Sequence, residues 1–127
     1  PLTRLATRNS LSVANFLSSE RLNKVKQDTK VGGATLTKML GTSAWYAPGA
    51  SVAYLVDSIL NNHKKLIPCS VLLNGEYGQS DICIGVPCII GSKGVESIVE
   101  LKLNKDELNL FNQSSNSVRS MNESLKL

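Results

Sequence analysis

The sequence has little of the material most active sites are made from. It holds one histidine, three cysteines and one tryptophan in 127 residues, and aromatics make up only 5%. With His63 as the sole imidazole, a serine or cysteine triad would have no other base to use. Cys69, Cys83 and Cys88 are odd in number and show no CxxC spacing, which argues against a disulfide framework and against a zinc site. They read as small buried hydrophobes in a reducing, cytoplasmic setting. No apolar run nears the roughly 20 residues that cross a bilayer, and no charged-then-apolar leader opens the chain, so a soluble domain without a membrane partner is expected. Neither a P-loop nor a GxGxxG fingerprint occurs, so the chain encodes no phosphate or dinucleotide cradle. An initiator Met is also missing: the sequence starts on Pro1, which points to an absent upstream part.

What is present describes a folded domain. Hydrophobic residues make up 42% and charged residues 19%, with a net charge of +4, unlike the low-hydrophobicity, high-charge pattern of disorder. The length suits one modest core. The basic excess is local: Arg4, Arg8, Arg21, Lys24, Lys26, Lys30 and Lys38 face only Glu20 and Asp28 within residues 1–38, a net +5, while the remainder nets −1. A basic stretch of this kind is read as a solvated helix face. The aromatics are not interleaved with these charges, and no nucleic-acid motif is present, so no nucleic-acid partner is expected.

Residues 1–17 read as a short extended piece and loop, turning helical near Val13. Ser18 or Ser19 marks a helix start, with Glu20 complementing the dipole. The helix faces the Gly32-Gly33 pair, where continuing costs about 1 kcal/mol per glycine and asks for a packing reason. After Gly41, Thr42 or Ser43 can cap a second helix, whose Val52, Leu55, Val56, Ile59 and Leu60 recur at helical spacing. Pro48 falls in its first turns. Small residues crowd 44–53, so another helix or a ligand is expected to pack closely there. His63, at the helix end, reads as a surface cap. Strands are predicted at 66–73, 82–90 and 97–103, in an antiparallel meander with one wet face. Glu76 and Asp81 bracket a turn that they are expected to stabilise. Asn104 with Glu107 predicts a capping box, followed by a terminal helix whose apolar face is Leu108, Phe111, Val118 and Leu125. The class is α+β: N-terminal helices, a three-stranded antiparallel sheet and a long C-terminal helix.

The strings VGGATLTKMLGTSAWYAPGASVA at 31–53 and IPCSVLLNGEYGQSDICIGVPCIIGSKGVESIVELKLNKDE at 67–107 resemble the C-terminal domain of the NAD-dependent lactate and malate dehydrogenases. The GEYG turn, the IGVPCIIG strand, the GVE hairpin exit and the ELKLN strand end come in that family's order. SAWYAPGAS is closer to malate dehydrogenases that resemble lactate dehydrogenase than to lactate dehydrogenases themselves. The resemblance implies that residues 1–127 form a substrate-binding and assembly domain. An NAD-binding Rossmann domain, the catalytic histidine and the substrate-binding arginine would then lie upstream, so no catalytic residue and no metal ligand is assigned within the chain. It further implies that Ser43 and Ala44 stand beside the substrate, that Pro48 packs near the nicotinamide ring of NAD, and that the protein interconverts malate and oxaloacetate as a homodimer or homotetramer. The alternatives are an L-lactate dehydrogenase of the same family and, from another class, a stand-alone basic binding module using residues 1–38.

Overall fold

The computed structural model describes residues 2–125, so Pro1 and the reading placed on it lie outside the described residues. The backbone divides into two compact units, residues 1–50 and residues 51–127. Length suggests a single core, and the buried residues agree in part. Among the described residues, every buried one lies in the second unit.

The first unit starts with a short helix, α1 (Leu2–Leu5), and a two-residue-strand hairpin, β1 (Thr7–Arg8) with β2 (Leu11–Ser12). Asn9 and Ser10 turn the hairpin with φ of 51° and 65°, the pair of positive values that matches the twist of the flanking strands. A 3-10 turn, Val13–Asn15, follows in place of a regular helix. Helix α2 (Ser19–Leu40) is capped by Ser18, whose Oγ accepts from the Arg21 N–H at 3.3 Å. It stops at Gly41, which takes φ 70° and donates to the Thr37 carbonyl at 2.9 Å. The helix runs unbroken through Gly32-Gly33, yet a Cβ built on either would meet nothing within 4 Å. Of its residues only Leu22 is half-buried, and the rest are exposed.

Helix α3 (Tyr46–Leu60) opens later than a cap at Thr42 or Ser43 would place it. The Gly49 N–H bonds the Trp45 carbonyl at 2.9 Å, so Trp45 holds the capping position. Pro48 is the third helical residue, where the absent N–H would have had no helical partner.

In the second unit, β3 (Lys65–Asn74), β4 (Ser80–Gly91) and β5 (Gly94–Ile98) form the expected antiparallel meander in the order β3-β4-β5. Leu73, Ile82, Ile84, Val86, Cys88 and Ile90 are its buried core, five of them alternate residues of β4. Leu55 and Ile59 of α3 and Phe111 and Val118 of α4 (Lys105–Ser124) pack against that core. Two fully buried serines sit on these helices. The Ser58 hydroxyl donates to the Ile90 carbonyl and the Ser115 hydroxyl to the Phe111 carbonyl, each at 3.0 Å, so neither hydroxyl is left unsatisfied.

Three expectations need correction. The buried face of α4 is Phe111, Ser115 and Val118; Leu108 is 42% exposed, and Leu125 caps the helix at 59% exposure. Cys88 is buried and Cys69 half-buried, but Cys83 is exposed, because it points to the face of β4 away from the core. Burial, and then the neighbouring Cys69 thiol, push the Cys88 thiol up from its ordinary range. The third strand spans 94–98 rather than 97–103. Cys88 pairs with Ile98, so the next rung would join Val99 to Pro87, which has no N–H to give. Val99 donates to the Pro87 carbonyl at 2.8 Å, and the ladder ends there.

The predicted capping box forms in full. Asn104 Oδ1 accepts from the Glu107 N–H at 2.9 Å, and Glu107 Oε2 accepts from the Asn104 N–H at 3.0 Å. Replacing Asn104→Ala is expected to lower stability by about 1 kcal/mol, with Asn104→Ser recovering most of it. Urea midpoints of the two variants check this, and equal midpoints would contradict it.

Candidate functional site

The three residues singled out from sequence lie within ten residues of the αL stop at Gly41, all in the first unit. Ser43 and Ala44 belong to the link 42–45 between α2 and α3, and Pro48 sits in the first turn of α3. Ser43 and Pro48 are exposed and Ala44 is half-buried. Among the described residues, the close packing expected of the small residues is not seen at Gly49, where no atom lies within 4 Å of where a Cβ would stand. Chemically, the stretch offers the hydroxyls of Thr42 and Ser43, the small apolar surfaces of Ala44 and Pro48, and no carboxylate, imidazole or amine before Asp57. It can line a cleft and limit what fits there, but holds no group suited to moving a proton near neutral pH. Trp45 and Tyr46, with ring centroids 6.2 Å apart, stand beside it at 60% and 83% exposure. Their adjacency in a chain so poor in aromatics is the signal that could have marked them.

The second unit carries a denser polar cluster, which sequence reading does not assemble. Asp57 Oδ1 accepts from Asn61 Nδ2 at 2.8 Å, while Oδ2 lies 3.2 Å from His63 Nε2 and 3.4 Å from Lys65 Nζ. The Lys65 ammonium also stands 4.2 Å over the Tyr54 ring. The hydrogen bond from Asn61, followed by those from Lys65 and the charges of His63 and Lys65, holds the Asp57 carboxyl below its ordinary range. The His63 N–H closes the end of α3 on the Ser58 carbonyl at 2.9 Å. His63 lies at the helix end as expected, but it closes the helix through its backbone N–H, while its imidazole sits on the carboxylate that Asn61 and Lys65 also occupy.

The Asp57 shift has a definite sign. A depressed carboxyl stabilises the fold fully above its unfolded value, about 3.9, and loses that contribution as pH falls through the lower folded value. The margin of the parent over Asp57→Asn is therefore expected to be full at neutral pH and to shrink below about pH 3.9. It should also weaken with salt, since the cluster is half-exposed. Thermal melts of both proteins from pH 7 to pH 2 check it; a constant margin would contradict it.

Glu76 and Asp81 do not converge as a carboxylate pair on any site residue. Glu76 Oε2 accepts from the Asn74 N–H at 2.7 Å, a bond that lowers its carboxyl from the usual value and fastens the turn as expected. Asp81, the second residue of β4, takes a left-handed conformation, φ 57°. Among the described residues, no group of three or more His, Cys, Asp or Glu is placed to hold a metal, and no helix is long and apolar enough to cross a membrane.

Residues 4–126 match the family model of the lactate/malate dehydrogenase α/β C-terminal domain. The chain belongs to that family. It is 68% identical over 126 residues to the malate dehydrogenase of Flavobacterium frigidimaris, covering 99% of this chain and 40% of that protein. A malate dehydrogenase of Bacteroides thetaiotaomicron is 61% identical over the same length and shares. Among solved structures, the malate dehydrogenase of Salinibacter ruber superposes with a TM-score of 0.91 at 38% identity, over 94% of this chain and 39% of that one. The lactate dehydrogenase of Eimeria maxima, solved with NADH and oxamate, gives 0.93 at 38% identity, over 98% and 40%. The chain thus spans about two fifths of the length of the relatives it matches. The α+β architecture inferred from sequence is this family's C-terminal domain fold.

Proposed function

We propose that residues 1–127 are the substrate-binding and assembly domain of an NAD-dependent malate dehydrogenase that interconverts L-malate and oxaloacetate. The observation that carries this reading is the 68% identity over 126 residues to a malate dehydrogenase. Solved lactate and malate dehydrogenases superpose on the fold almost equally well, so the curated relatives, and not the fold, support the choice of malate.

Bound NAD supplies the hydride acceptor for C2 of malate. The residues at 42–48 fit a nicotinamide ring: Pro48 offers a rigid apolar surface without a donor, and no charged side chain lies between Lys38 and Asp57. Ser43 and Ala44 stand against the substrate, where small side chains leave room for its carbon skeleton and help exclude water. An upstream NAD-binding domain carries the histidine that takes the hydroxyl proton and the arginine that grips the carboxylate. The protein acts in the cytoplasm, in the tricarboxylic acid cycle.

Copies assemble as a homodimer or homotetramer. Val52, Val56 and Leu60 support this, standing 60%, 44% and 77% exposed on α3 while Ser58 on the same helix is fully buried. Sedimentation of the intact protein at a monomer's mass would contradict assembly.

The deciding experiment measures kcat/KM of the intact protein for oxaloacetate and for pyruvate with NADH. A preference for oxaloacetate of about 100-fold or more is expected. A preference for pyruvate would overturn the reading in favour of lactate dehydrogenase.

A further inference from the structure

We infer that Tyr77 is a substitute rung of the sheet, its phenol taking the place of the N–H that Pro87 cannot offer and thereby setting where β5 ends and the path to α4 begins. Beyond Ile98 the chain leaves the ladder, and residues 99–104 form a strap without regular structure. The Val99 carbonyl, which a non-proline residue at 87 would serve, accepts from the Tyr77 hydroxyl at 2.7 Å. The phenol oxygen in turn accepts the Leu101 N–H at 2.8 Å, another group stranded when the ladder stops. One hydroxyl therefore satisfies a donor and an acceptor two residues apart.

Tyr77 is set up for this role at a local cost. It adopts φ 54°, an unfavourable conformation for an aromatic residue, inside the turn between β3 and β4. Its N–H donates to Glu100 Oε2 on the strap at 2.6 Å, and its ring lies 5.1 Å from Phe111 on α4. The turn, the strap and the first turns of α4 thus meet on one side chain. Asn104, the cap of α4, comes three residues after Leu101, so the pin also fixes where that helix starts.

If Tyr77 replaces what Pro87 withholds, the two positions must be coupled: an N–H restored at 87 should make the phenol less necessary. The test is residue-resolved hydrogen exchange on the intact protein and on Tyr77→Phe, Pro87→Ala and the double variant. Tyr77→Phe is expected to speed exchange of the Val99 amide, which donates to the Pro87 carbonyl on the rung that the phenol completes, by about tenfold or more. In the Pro87→Ala background the same change should speed it by no more than about threefold, since the new N–H can take the Val99 carbonyl. Equal acceleration in both backgrounds, or none in either, would overturn the inference. If Tyr77→Phe does not fold, Pro87→Ala decides alone. Slow exchange of the amide created at position 87 supports the inference, and exchange at the rate of open backbone overturns it.

Discussion

Residues 1–127 expressed by themselves are expected to give no measurable oxidation of malate with NAD. Hydride transfer needs the hydroxyl proton removed as the hydride leaves and the two carbon centres held in register; orientation of that kind accounts for about 7 to 11 kcal/mol of barrier lowering in well-arranged systems. The chain's one imidazole is at the end of α3, committed to Asp57 at 3.2 Å and flanked by Lys65 on the same oxygen. Residues 42–48 hold no carboxylate, imidazole or amine at all. If, as proposed, the base and the carboxylate clamp lie upstream, residues 42–48 are walls without machinery. The measurement is NADH formation by the purified chain, run beside His63→Ala. Turnover that vanishes in the variant would place the base on His63 and refute an upstream histidine, while turnover that survives would refute it by another route.

The largest effect on folding is expected in the buried core, at the turn end of the β3–β4 pair. Leu73 and Ile82 face each other across the two strands, each 1% exposed, next to Ile84. Ile82→Ala removes a branched side chain from a site enclosed by strand on one side and helix on the other, at a cost of about 3 to 4 kcal/mol. That is a large share of the 5 to 15 kcal/mol, roughly, by which domains are stable. The first unit cannot compensate, since none of its described residues is buried. Ile82→Val should lose only about 1 kcal/mol. Urea unfolding of both variants tests the placement, and a loss below about 1 kcal/mol for Ile82→Ala would mean that the side chain is not where the core requires it.

Signals confined to a few neighbouring residues are legible in the sequence alone. Ser18 with Glu20, Gly41, and Asn104 with Glu107 act on backbone groups within one turn, so the residues that decide are adjacent in sequence. The end of β5 is not legible there, because it is decided by Pro87 on another strand. The alternation Val99, Leu101, Leu103 reads as a strand until its partner is known. Cys83 misleads for a related reason: both faces of β4 carry apolar residues, and alternation alone does not say which face the helices cover. Ser43, Ala44 and Pro48 are reached only through family resemblance. A cleft wall made of small residues carries no chemistry that composition or spacing can mark.

The Pro68–Pro87 pair has one more effect. Because the Pro87 carbonyl turns toward Val99, its backbone faces β5, and the matching rung to Pro68 carries no hydrogen bonds. Pro68 therefore presents its missing N–H to the open side of β3, the edge of the sheet. A ten-residue edge strand flanked by exposed Leu66 and Leu72 would otherwise be a template for a foreign strand to grow on. The gap interrupts that template, as a proline does wherever it falls on an edge strand.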